Sequence, residues 1–119
     1  DVDETVVPSR SRPLQLTFDD GNTYVLAGST VLGRDPRIDG GHADAAQLQI
    51  IDKDMSVSKT HLVLSLRAGA VLVEDLHSTN GTWVSTPDGT TSAVLPGTPA
   101  LAMPGSTIHF GDRTLRVGA

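Results

Sequence analysis

The chain has no cysteine, so neither a disulfide framework nor a thiol-ligated zinc site is available to its 119 residues. Lysine is scarce as well. Lys53 and Lys59 are the only two, and the other seven of the nine basic residues are arginines. Against 14 acidic residues these leave a formal net charge of −5. That balance argues against nucleic-acid partners, because binding a phosphate backbone needs a broadly basic surface. Any anion taken by this chain must be held locally, by a few well-placed cations. No run approaches the ~18 apolar residues of a membrane span, and no secretory signal pattern opens the sequence. The expectation is a cytoplasmic domain with no direct membrane insertion, either free or as the cytosolic part of a larger membrane-associated protein.

Helical periodicity is missing too: apolar residues nowhere repeat at helical spacing across a dozen positions. What is present is turn chemistry. Twelve glycines and seven prolines punctuate short segments rich in Val, Leu, Ile and Thr. Strands are expected near 14–18, 23–27, 30–33, 47–51, 61–67, 70–76, 82–85, 91–95, 106–110 and 113–117. Leu62, Leu64 and Leu66 would share one face of their strand, with Val63 and Ser65 on the other. Turns are expected at DDGN (19–22), RAG (67–69) and GD (111–112). The pattern predicts an all-β sandwich of about ten to eleven mostly antiparallel short strands, with binding loops at one end. Residues 13–119 are expected to form this one domain, and the polar, proline-bearing residues 1–12 a flexible linker.

Two segments, GRDPRIDGGHADAA (33–46) and DKDMSVSKT (52–60), are too long or too irregular for tight hairpins. Such loops on a β scaffold concentrate binding residues. A third, HSTNGT (77–82), stacks hydroxyls against an Asn-Gly pair that a tight turn alone would explain. Arg34 offers a planar fork suited to paired hydrogen bonds with phosphate oxygens, although a plain surface pair with Asp35 or Asp39 is the blander reading. Ser58 can donate from its hydroxyl, and the backbone N–H groups around it could donate too. Lys59 supplies charge without the fork. Ser58, His61 and Asp75 suggest a hydrolytic triad on paper, yet no G-x-S-x-G elbow accompanies them. His42, His77 and His109 lack metal-ligand spacing, and the aspartates of 35–44 and 52–54 do not match a calcium loop. Those aspartates read as solvated turn formers, and Trp83, the only tryptophan, as a core residue. No cofactor is expected.

Taken in order, Gly33-Arg34, Ser58-Lys59-Thr60-His61 and Ser78-Thr79-Asn80-Gly81-Thr82 resemble the forkhead-associated (FHA) domain family, bacterial type. The resemblance spans about residues 13–118, including a closing hairpin after Pro104-Gly105. Lys59 stands where the family more often has arginine. The resemblance implies a non-catalytic module that reads phosphothreonine in a peptide or protein partner, within Ser/Thr kinase signalling. It implies phosphopeptide contacts from Arg34, Ser58, Lys59, Thr79 and Asn80. Gly33, His61 and Gly81 would support the site, His61 by pinning the recognition loops. The alternatives are a phosphate-independent interaction or scaffolding module and, more remotely, an esterase using Ser58, His61 and Asp75. Thr5 lies behind Asp1, Asp3 and Glu4 and ahead of Val6 and Val7. That pattern is similar to bacterial Ser/Thr kinase substrates, so a phosphorylated Thr5 could dock in this domain's own site or a neighbour's.

Overall fold

A computed structural model describes residues 12–38, 42 and 44–118. Most of the expected linker, with Thr5, lies outside the described residues. Eleven strands form two sheets. They are β1 (Leu14–Phe18), β2 (Thr23–Leu26), β3 (Ser29–Gly33), β4 (Ala46–Gln49), β5 (Leu62–Arg67) and β6 (Ala70–Asp75), followed by β7 (Thr82–Ser85), β8 (Thr91–Ala93), β9 (Ala100–Ala102), β10 (Thr107–Phe110) and β11 (Arg113–Val117). One sheet runs β2-β1-β11-β10-β7-β8 and the other β4-β3-β5-β6-β9. All pairings are antiparallel except β3 with β4. The all-β sandwich is therefore as the sequence pattern predicts.

Alternation explains the layering. Leu14, Leu16 and Phe18 of β1 point inward while Gln15 and Thr17 face out, and Ile108 and Phe110 do the same from β10. Leu62 and Leu64 of β5 join them in one core with Leu26, Leu32, Val71, Val73 and Leu115. On the opposite face of β5, Val63 is buried as well.

The strands differ from the sequence reading in places. β9 was not anticipated: Ala-Leu-Ala carries no β-branched residue and lies between Pro99 and Pro104. Its pairing with β6 makes it a strand. β4 covers Ala46–Gln49 rather than reaching Ile51, whose side chain is 80% exposed. The Ala68-Gly69 turn between β5 and β6 has positive φ at both positions, +53° and +81°, which suits the twist of a two-residue hairpin.

Topology gathers the loops. The C-terminal end of β3, the entry to β5 and the connection from β6 to β7 all lie at one end of the sandwich. They share it with the β1–β2 and β10–β11 turns, tied across by Arg113, whose guanidinium grips Asp19 through Nε and Nη2. Residue 12 and residue 118 sit at the far end, since β1 starts opposite the close of β2 and the close of β11.

Candidate functional site

His61 is the centre of the loop end. It is fully buried, packs edge-on against Phe110 and extends the ladders on both sides. Its N–H donates to Leu32 O at 2.8 Å and its carbonyl accepts from Leu76 N–H at 2.9 Å. The ring is fixed at both nitrogens. Nε2 lies 2.9 Å from Gly81 O, and a carbonyl can only accept, so Nε2 carries the proton. Nδ1 then accepts from Ser58 N–H at 3.0 Å. One neutral imidazole thereby ties the 56–60 loop to the 78–82 loop. Burial holds its pKa below the usual histidine value; the Gly81 carbonyl and the Asp75 charge oppose this without reversing it.

Ser58 shows how the hydroxyl is aimed. Its Oγ accepts Thr79 N–H at 2.9 Å. With that lone pair engaged, the hydroxyl proton is left to donate outward. Arg34 stands beside it: Arg34 N–H donates to Ser58 O at 3.1 Å, and its Nε donates to Val57 O. Among the described residues no hydrogen bond engages its Nη groups, so that edge of the fork could serve an anion. Among the described residues no carboxylate pairs with Arg34; Asp35 pairs with Arg37 instead, at 3.5 Å. Asp35 N–H donates to Lys59 O at 3.0 Å, so the 34–35 and 58–59 backbones are laced together. Lys59 itself is exposed.

Gly33 permits that lacing. A Cβ at this position would lie 1.9 Å from Lys59 O, so only glycine allows the approach. Gly81, at φ +90°, has the Trp83 ring against it, 2.8 Å from where a Cβ would sit. Trp83 is not the core residue its uniqueness suggested. It faces outward from β7 and is 37% exposed, because β7 turns Thr82 and Val84 inward instead.

The extra hydroxyls of the 78–82 turn are accounted for by Asp75, a buried carboxylate at the end of β6. It accepts from Ser78 N–H at 3.0 Å, from Ser78 Oγ at 2.5 Å and from Thr82 Oγ1 at 2.7 Å. Burial alone would raise its pKa, but the Ser78 and Thr82 hydrogen bonds outweigh burial and hold it below the usual carboxylate range. Ser78 Oγ also accepts Gly81 N–H at 3.1 Å, closing the turn. Thr79 and Asn80 are left exposed at the tip. Asn80 is positioned rather than loose: its Nδ2 donates to Ser56 O at 2.9 Å. Its amide oxygen and remaining N–H can then bracket an extended peptide backbone.

Ser56 and Asp52 were not singled out in the sequence. Asp52 Oδ2 accepts from Ser56 Oγ and Val57 N–H, and Ser56 Oγ accepts Asp112 N–H at 2.9 Å. The spacing Asp-x-x-x-Ser just ahead of Val57-Ser58 was the available signal, since short side chains in such loops bond to nearby backbone. The triad suggested by Ser58, His61 and Asp75 is not formed. His61 bonds the backbone of Ser58 and not its hydroxyl, and Asp75 is spent on Ser78 and Thr82.

The family model for the FHA domain matches residues 30–111. The chain belongs to the FHA family. FHA domains are phosphopeptide-recognition modules. The FhaA FHA domain, solved in complex with the intracellular domain of Rv3910, superimposes with a TM-score of 0.63 at 31% identity, covering 87% of this chain and 98% of that one. A second FHA domain, from work on phosphothreonine-dependent FHA domain interactions, matches at 29% identity and TM-score 0.61, covering 91% and 97%. A chloroplastic zeaxanthin epoxidase of Nicotiana plumbaginifolia is 29% identical over 97 residues, which is 77% of this chain but 15% of that enzyme. The chain thus spans between 11% and 15% of the length of the curated relatives it matches.

Proposed function

We propose that this FHA domain is a non-catalytic reader of phosphothreonine. The observation that carries the reading is the Ser58 hydroxyl: it accepts Thr79 N–H, has no acceptor of its own among the described residues, and belongs to the loop whose Val57 and Ser58 carbonyls Arg34 holds. A phosphate monoester brings about −1.5 to −2 charges and three strong acceptor oxygens. Arg34 and Ser58 bind it directly, Lys59 adds charge from the rim, and Thr79 and Asn80 hold the peptide main chain. Gly33, His61 and Gly81 keep those groups in register. Because Lys59 is an exposed ammonium rather than a guanidinium, its share of the affinity falls with salt.

The partner is a phosphothreonine protein in Ser/Thr kinase signalling, with the domain in a bacterial cytoplasm. Residues 13–119 act as the recognition unit and residues 1–12 as its linker. Thr5 is the candidate internal ligand, and reach decides where it docks. Leu14 lies nine positions after Thr5, about 30 Å at full extension. The chain leaves β1 at the end opposite the recognition loops, and five strand residues alone cover about 17 Å. Docking in its own site would therefore take more than half of that reach.

One array tests the reading, carrying phosphothreonine, phosphoserine and unmodified threonine versions of the same peptides. Selective retention of the phosphothreonine forms is expected. Equal retention of all three would favour a phosphate-independent scaffold and reject the reading.

A further inference from the structure

A second concavity lies at the same end of the sandwich, on the open edge between β2 and β4. It is a cleft of about 160 Å³ walled by Phe18, Tyr24, Leu48 and Ile50, with Ile51 and Arg113 at its mouth. A cavity of about 150 Å³ is enough to hold benzene, so this one suits a single leucine- or phenylalanine-sized side chain. Phe18 and Ile50 are buried, while Tyr24 and Leu48 are partly so. Ile51, 80% exposed, adds an apolar lip that has no role in the core.

The cleft is physically joined to the phosphopeptide site. Gln49, one of its wall residues, donates from Nε2 to Arg34 O at 3.0 Å. Gln49 also pairs with Gly33 across the β3–β4 ladder. Arg113 Nη1 donates to Ile51 O at 2.6 Å, fixing the lip. The mouth has an acidic bias. Asp19 and Asp20 both pair with Arg113, and the charge of Asp52, whose carboxylate is bonded to Ser56 and Val57, also acts on it, so three carboxylates surround one guanidinium. The exposed Lys53 and Asp54 that follow offset each other.

We infer that this cleft receives one apolar side chain of the phosphorylated partner, with a basic residue beside it, so that the partner is gripped at two points. The inference rests on the phosphothreonine reading and specifies its partner further. Gly33 and Gln49 sit one strand spacing apart, about 4.8 Å, and Ile51 lies two residues beyond. An extended peptide covers the distance from the phosphate to the cleft in about four or five residues.

The test is a calorimetric titration of the full chain with phosphothreonine peptides of one background sequence. Leucine or alanine is placed in turn at each position two to six residues on either side of the phosphothreonine. A position at which leucine binds about tenfold tighter than alanine is expected, with a further gain when lysine or arginine is its neighbour. Ile51→Asp and Thr23→Trp change exposed rim positions, so the fold and the affinity for the all-alanine phosphopeptide should persist. Both variants should bring the leucine-to-alanine ratio close to one. No position with more than a twofold preference, while the all-alanine phosphopeptide still binds, would overturn the inference and leave the phosphothreonine reading intact. A ratio unchanged in both variants would also overturn it. A concentration-dependent dimer abolished by Ile51→Asp would assign the cleft to a second copy and overturn it as well. Loss of all phosphothreonine-dependent binding by the unmodified chain would reject the underlying reading, and this inference with it.

Discussion

Replacing Ser58 by alanine separates recognition from stability more cleanly than any other change at the site. Among the described residues Ser58 Oγ makes one hydrogen bond, to the N–H of Thr79 at 2.9 Å. Thr79 is exposed, so water can take over that N–H, and the folded state should lose only about 0.5–1 kcal/mol. The backbone of Ser58 is untouched: its N–H still meets His61 Nδ1 and its carbonyl still accepts from Arg34 N–H. Binding should suffer much more. A hydrogen bond to a charged phosphate contributes about 1.5–3 kcal/mol. Converted at about 1.4 kcal/mol per decade, that is about a 10- to 150-fold weakening. Loosening of Thr79, whose N–H no longer has its protein partner, moves the result toward the upper end. Calorimetric titration of Ser58→Ala with a phosphothreonine peptide reads the affinity, and a thermal melt of the same sample reads the fold. An affinity within twofold of the parent, with an unchanged melt, would refute the assignment of the hydroxyl proton to the phosphate.

Gly33→Ala should destabilise the domain by about 3 kcal/mol or more in chemical denaturation, because its Cβ would lie 1.9 Å from the Lys59 carbonyl and neither backbone can yield freely. Asp75→Asn should cost about 2–4 kcal/mol by the same measurement, since the buried carboxylate that accepts from both Ser78 and Thr82 is replaced by a group with one acceptor oxygen. Stability should also depend on pH through His61. Its folded pKa lies below the ordinary 6.5, so the unfolded chain takes up the proton first. Stability is then steady above about pH 7 and falls as pH drops from 6.5 toward the folded pKa. Denaturant midpoints at intervals between pH 8 and pH 5 check this, and a flat profile would contradict the neutral tautomer assigned to the ring.

Much of the architecture was legible because alternation is local. The pattern LQLTF or TIHF carries its own facing information, and the turns at 19–22, 67–69 and 111–112 carry theirs. β9 was not legible, because Ala-Leu-Ala is a strand only by pairing with β6. Trp83 misled because a lone tryptophan suggests a core, whereas the register of β7 spends its inward positions on Thr82 and Val84. At the candidate site, Arg34, Ser58, Thr79 and Asn80 were singled out through motif order, and hydrogen bonds join their two loops and the end of β3. The residues that hold them were harder to see. Ser56 meets Asp112 across the fold, and nothing in a one-dimensional reading joins positions so far apart. Asp75 was noticed only as the third member of a possible Ser-His-Asp triad, when its use is to order the hydroxyls of the turn that follows it.

The central claim is that the phosphate is held by Arg34 in concert with Ser58. Calorimetry of the parent chain and of Arg34→Ala, each against one phosphothreonine peptide and its unmodified twin, tests it most directly. The account predicts that the parent binds only the phosphorylated peptide and that Arg34→Ala weakens this binding at least about tenfold, as loss of charge-assisted hydrogen bonds requires. Near-equal titration curves for the parent and Arg34→Ala would contradict it.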